Sequence, residues 1–174
     1  MGVGESYERV LIGLIESLKA ERVAEIGVYK SHLAKAVLRS PGASTIREYW
    51  AVDRWVAGTP AKQAKSDGLF EYATKLMGWF PALRVMRSDS VKAAEDFVQG
   101  YFDIVFIDAD HSYVAVNSDI NAWMPKVRSG GFLCGHDFFE GMDASHPGVA
   151  RAVREWFGDA VLTHASTVWV RGIP

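Results

Sequence analysis

The chain has little with which to staple or anchor itself. Its single cysteine, Cys134, excludes an intrachain disulfide and suits a reducing compartment. No apolar run approaches the ~20 residues needed to span a bilayer. The opening MGVGESYER carries no basic segment followed by an apolar one, so it does not read as a signal peptide. Charge of one sign is also missing: 19 Lys and Arg face 21 Asp and Glu, a formal balance of -2. No basic excess points to nucleic acid, no acidic tail appears, and there is no internal repeat. A cytoplasmic protein without a nucleic-acid or membrane partner is the expectation.

What is present is core. Hydrophobic residues make up 49% of 174 residues, enough for one domain over 1–174 with a helical lead-in over 1–20, and too few residues for two. Residues 6–20 read as an amphipathic helix through Val10, Leu11, Leu14, Ile15 and Leu18. Short apolar runs then alternate with helical patterns. The runs are ERVAEIGV, EYWAVDRW, LRVMRSD, FDIVFIDAD and FLCGHDF; the helices cover 31–39, 66–79, 90–98, 112–127 and 148–157. Polar residues 57–66 carry no periodicity and read as a loop. Residues 160–172 read as two short strands whose connection is too short for a parallel crossover, so one should run antiparallel. The alternation predicts an α/β fold, a doubly wound Rossmann-like domain with a mostly parallel sheet.

Ligands in such folds bind beyond the carboxyl ends of the strands, and acids stand there. Glu25-Ile26-Gly27 closes the first run, Asp53 the second, Asp89-Ser90 follows the third, Asp108-Ala109-Asp110-His111 the fourth and His136-Asp137 the fifth. Any one of them could simply cap the next helix. Five converging on one rim would repel unless something positive or hydroxyl-rich sat between them. Asp53 lies 26 positions past Gly27, near the ~20 at which an acid meets a ribose. The diphosphate fingerprint G-x-G-x-x-G is absent, since the loop reads Gly27-Val28-Tyr29-Lys30-Ser31. A nucleotide-like ligand without a diphosphate fits better than NAD or FAD.

Glu25-Ile26-Gly27, Ala51-Val52-Asp53, Ser88-Asp89-Ser90, FDIVFIDADHSY, Asp119-Ile120 with Trp123, and GGFLCGHDF fall in an order that resembles the class I S-adenosylmethionine-dependent methyltransferases. The likeness is to the small-molecule branch with the caffeoyl-CoA O-methyltransferases and the cephalosporin hydroxylase-like group, over about residues 20–172. It implies a seven-stranded sheet with the last inserted strand antiparallel. It implies S-adenosylmethionine as cofactor, with Glu25 and Gly27 at its methionine part, Asp53 on the ribose, Asp89 and Ser90 on the adenine, and Asp108 beside the sulfonium. It implies methyl transfer to a small-molecule acceptor, a hydroxyl oxygen first among them. Tyr29 and Ser31 depart from the family loop, standing where its second and third glycines stand.

A hydroxyl acceptor must lose its proton, to a base or through a metal. Asp108, His136 and Asp137 match the places of the metal ligands in metal-dependent relatives, with His136 where an acid is usual; two oxygens and one nitrogen suit Mn, Fe or Zn. Without metal, His111 or His136 is the base, which with Asp108 completes the candidate catalytic set. His32, His146 and His164 read as structural or solvent-facing. Trp50, Trp123, Trp156 and Trp169 read as core, Trp55 as a border of the adenosine pocket, and Trp79 with Phe80 as core or lid. The segments 57–66 and 138–147 are expected to shape the acceptor pocket. Little chain lies beyond the core, which means an open site for a bulky acceptor or a homo-oligomer whose second subunit completes the pocket. The rival readings are a D-x-D nucleotide-sugar glycosyltransferase on Asp108-Ala109-Asp110, a NAD oxidoreductase lacking its glycines, and a non-catalytic S-adenosylmethionine-binding module.

Overall fold

A computed structural model describes residues 7–139, 146–164 and 167–174. Helix α1 (Tyr7–Leu18) leads into β1 (Arg22–Ile26), α2 (His32–Leu38), β2 (Glu48–Asp53), α3 (Pro60–Leu76), β3 (Leu83–Arg87), α4 (Ser90–Ala94), β4 (Phe102–Ile107), α5 (Tyr113–Trp123), β5 (Val127–Gly135), α6 (Pro147–Phe157), β6 (Leu162–His164) and β7 (Val168–Gly172). The strands form one seven-stranded sheet in the order β3-β2-β1-β4-β5-β7-β6. Neighbours from β3 to β5 run parallel, while β7 runs antiparallel to both β5 and β6. The expected antiparallel strand is therefore β7, slotted between β5 and the edge strand.

Side chains alternate across each strand, and the two faces carry separate cores. Val23, Tyr49, Ala51, Leu83, Ile104 and Phe106 pack under α1, α2 and α3 with Leu11, Ile15, Val37 and Leu76. Ala24, Ile26, Val52, Val105, Ile107 and Leu133 pack under α4, α5 and α6 with Ile120, Trp123, Ala152 and Val153. Each large buried side chain contributes about 1.5–3 kcal/mol, so both layers help to hold the sheet between them. Cys134 is buried, which pushes its thiol up and leaves it unreactive. No helix among the described residues is long and apolar enough to cross a membrane.

The sequence-based loop over 57–66 is corrected: α3 begins at Pro60. Thr59 caps it by accepting from the Lys62 N–H at 3.4 Å, and Pro60 takes the first helical place, where its missing N–H costs nothing. The turn that follows is polar all round, which hid its period. Two helices also end sooner than their patterns. α4 stops at Ala94, and α5 stops at Trp123, beyond which Met124–Lys126 tighten into a 3-10 turn around Pro125.

Strand register sets the rim. Ile26 pairs with Val52 on one side and Ile107 on the other, and Ile107 pairs with Gly135. The next residues along these four strands (Gly27, Asp53, Asp108 and His136) thus leave the sheet at one level.

Candidate active site

Beyond that rim lies an open cavity of ≈ 760 Å³, lined by residues that include Gly27, Asp53, Asp89, Ser90, Asp108, His111, Asp119, His136 and Asp137. This is within the ~300–1,000 Å³ common for ligand sites. The expected site residues are brought together, with one exception. Glu25 is only 2% exposed, is not part of the cavity wall, and accepts the Tyr49 hydroxyl at 2.7 Å. Strand alternation explains it: Glu25 shares the parity of Val23, on the α1–α3 face, and lies behind the wall. Burial pushes its pKa from 4.5 up to about 8; the Tyr49 hydrogen bond opposes this, and the charges of Asp108 and Asp53 add to it.

The loop after β1 is held by Asp53. Its Oδ2 accepts from the N–H groups of Val28 and Tyr29, both at 2.8 Å, and its Oδ1 accepts from Trp55 N–H at 2.7 Å. Trp55 adds a hydrogen bond from Nε1 to the Tyr29 carbonyl at 3.2 Å. These contacts hold Tyr29 at φ 46° and Ser31 at φ 57°, left-handed conformations that cost a non-glycine residue about 1–2 kcal/mol each. The loop thus has two left-handed residues where its family counterpart has glycines. Gly27, at φ 92°, is needed for another reason as well: a Cβ there would stand 2.1 Å from the Asp108 carbonyl oxygen. Trp55 does not border the cavity as expected. It is buried on the α3 side with its ring 5.3 Å from Phe70, because its indole is committed to the loop.

On the adjoining wall, Asp89 caps α4, accepting from Val91 N–H at 3.1 Å and Lys92 N–H at 3.4 Å. Ser90 accepts from Trp123 Nε1 at 2.9 Å. Asp119 lies buried beside it, and burial raises its pKa to about 6 against the lowering hydrogen bond of Ser90. Of the D-x-D triplet, Asp110 is engaged by the Ser112 N–H at 2.8 Å, as an Asx turn before α5.

Opposite stands a cluster of imidazoles and carboxylates. Asp108 Oδ1 is 3.5 Å from His111 Nε2 and 3.8 Å from His136 Nδ1. Asp137 Oδ2 is 2.8 Å from His111 Nε2, and its Oδ1 is 3.3 Å from His136 Nδ1. Asp108 and Asp137 raise the His111 pKa against the opposing effect of burial, Asp137 being the nearer. His136 Nε2 lies 3.1 Å from Thr167 Oγ1, and the Tyr7 ring is 4.6 Å from the His136 ring. The metal-capable set Asp108, His136 and Asp137 has donor atoms within 4.8 Å of one another.

His146, read from the sequence as structural or solvent-facing, stands beside this cluster: its ring is 4.3 Å from that of His111, and its Nδ1 is 3.8 Å from Asp137 Oδ1. Tyr7 was missed too. Trp50, Trp123, Trp156 and Trp169 pack in the core or against it, whereas Trp79 is 81% exposed. The wall expected from 138–147 falls largely on 140–145, outside the described residues, as does the side chain of His164.

Residues 24–138 match the family described as a methyltransferase domain. No curated protein matches the sequence. Among solved structures, a Podospora anserina methyltransferase with SAH bound is 16% identical with a TM-score of 0.65, over 98% of this chain and 81% of that one. A Staphylococcus aureus protein provisionally named a caffeoyl-CoA O-methyltransferase is 11% identical with a TM-score of 0.66, over 94% and 81%. Spermidine synthase from Thermotoga maritima is 12% identical with a TM-score of 0.61, over 97% and 60%. At these identities the likeness is one of fold.

Proposed function

The chain belongs to the methyltransferase-domain family, and from that premise we propose that it uses S-adenosylmethionine to methylate a hydroxyl oxygen of a small-molecule acceptor. One observation carries the reading: Asp53, Asp89, Ser90 and Asp108, from three strand ends, line a single cavity. A nucleoside bearing a cationic sulfur is the ligand such a wall suits.

The donor set fits the group. A carboxylate has about four acceptor positions, and backbone N–H groups take three of those on Asp53, leaving one on Oδ1 for a ribose hydroxyl. Asp89 and Ser90 take the adenine edge, Gly27 the methionine end with Glu25 behind it, and Asp108 the sulfonium side. The Ser31 hydroxyl, buried at the end of the same loop with no partner, is a polar atom still to be matched. Bound S-adenosylmethionine would supply an electrophilic methyl carbon for the acceptor oxygen, with its sulfur as the leaving group.

The chain's own residues do the rest. The rigid rim fixes the line of approach, an effect that can reach roughly 7–11 kcal/mol in favourable cases. His111 or His136, each beside a carboxylate, takes the hydroxyl proton. Asp108, His136 and Asp137 could hold a divalent metal, which would supply a lowered acceptor pKa. Of the rivals, a binding-only module separates from the enzyme by turnover. The test is calorimetric titration with S-adenosylhomocysteine. Asp53→Ala should weaken binding by about 1–3 kcal/mol. Equal affinity would remove the ribose assignment, and no binding to the wild type would remove the cofactor.

A further inference from the structure

The cluster contains a second group of donors, which adds His146 to two residues already named. His111, Asp137 and His146 each offer one atom, all within 4.8 Å of one another. They arrive from three separate elements: the turn before α5, the end of β5 and the residue that precedes α6. We propose that His111, Asp137 and His146 form a binding site for a borderline transition-metal ion of the Zn(II) or Co(II) class, an alternative to the set of Asp108, His136 and Asp137, with which it shares Asp137.

The spacing fits. Adjacent donors around an ion with bonds near 2.1 Å lie about 3–3.5 Å apart. Here His111 Nε2 is 2.8 Å from Asp137 Oδ2 and His146 Nδ1 is 3.8 Å from Asp137 Oδ1, distances that bracket that spacing. The two imidazole rings already stand 4.3 Å apart, tilted by 50°.

The backbone is shaped to this end at two places. Asp137 holds φ 57°, a strained conformation for a non-glycine residue and one that clusters at functional sites. Gly148 seats the start of α6 directly on the turn that carries His111: a Cβ there would meet Tyr113 N at 2.5 Å and the His111 carbonyl oxygen at 2.7 Å. That close approach brings His146, two residues earlier, beside His111.

Charge and chemistry agree. Two carboxylates meet three imidazoles in this corner, and Arg54 is the cavity's one Arg or Lys among the described residues, acting on Asp110 and Asp119. A divalent ion would balance the two carboxylates. Two nitrogens and one oxygen select Zn(II), Co(II) or Fe(II) over Mg(II). The carboxylate ligand has its own support, since His136 Nδ1 is 3.3 Å from Asp137 Oδ1 and Thr167 holds the other His136 nitrogen. An ion at this place takes His111 and leaves His136 as the base.

The probe is Co(II) alone, added to the chelator-stripped, tag-free chain and followed by its visible ligand-field bands, with bound Zn(II) counted by elemental analysis. One ion per chain is expected. His146→Ala should weaken Co(II) by more than about tenfold, a loss seen even for residues that only orient ligands. Thermal melting checks that each variant folds, and His146→Asn replaces His146→Ala should the latter melt early. No binding to the wild type, or binding retained without His146, overturns the proposal. S-adenosylhomocysteine binding to the stripped wild type is read separately, so this site and the methyl-transfer reading can fail independently.

Discussion

Replacing Glu25 with Gln should change how stability depends on pH more than it changes stability itself. The Glu25 carboxyl is 2% exposed and bonded to Tyr49. Burial raises its pKa from 4.5 to about 8. The unfolded chain therefore releases this proton from about pH 4.5 upward, while the folded protein keeps it until about pH 8. Between those values the unfolded state binds fewer protons, so folding stability falls as pH rises, by roughly 1.4 kcal/mol per unit and about 5 kcal/mol in all. Gln mimics the neutral acid, still accepts the Tyr49 hydroxyl, and has nothing to release. Urea denaturation of both proteins from pH 4 to 9 checks this. The two should be within about 1 kcal/mol near pH 4, and the variant should be the more stable above pH 8. Taking the difference cancels the other titrating groups, Asp119 among them. Parallel curves would refute the argument, because a carboxyl that stays ionised in the fold gives no divergence.

Gly27→Ala should destabilise by about 3 kcal/mol, since the new methyl meets the Asp108 carbonyl at a left-handed φ; a denaturation midpoint close to the wild type would show that β4 can give way. Tyr29→Gly should raise stability by about 0.5–1 kcal/mol, the relief of its φ 46° less the added freedom of the unfolded chain. Its ring is 57% exposed, so little packing is lost, and a fall in the urea midpoint would contradict the strain assigned to it.

The alternation of apolar runs and helical patterns was enough to reach the sheet, its parallel sense and the antiparallel strand. Strand ends were enough to reach Asp53, Asp89, Asp108 and Asp137, because each follows a run whose exit direction the fold class dictates. The remainder depended on facts of different kinds. Glu25 could have been placed behind the wall from its parity with Val23, a period-two signal present in the sequence. Trp55 could not, because its burial follows from a hydrogen bond to a loop 26 residues earlier. His146 was invisible for a similar reason. Its place beside His111 depends on how closely α6 can sit on the turn before α5, and only a contact distance at Gly148 reveals that.

The strand inserted against the grain of the sheet has a bearing on the order in which the protein becomes competent. Thr167, the residue before β7, supports His136, and the Thr167 carbonyl accepts the Phe138 N–H at 3.0 Å. A ribosome therefore makes β1 to β4, whose ends carry Asp53, Asp89 and Asp108, before the segment that steadies His136.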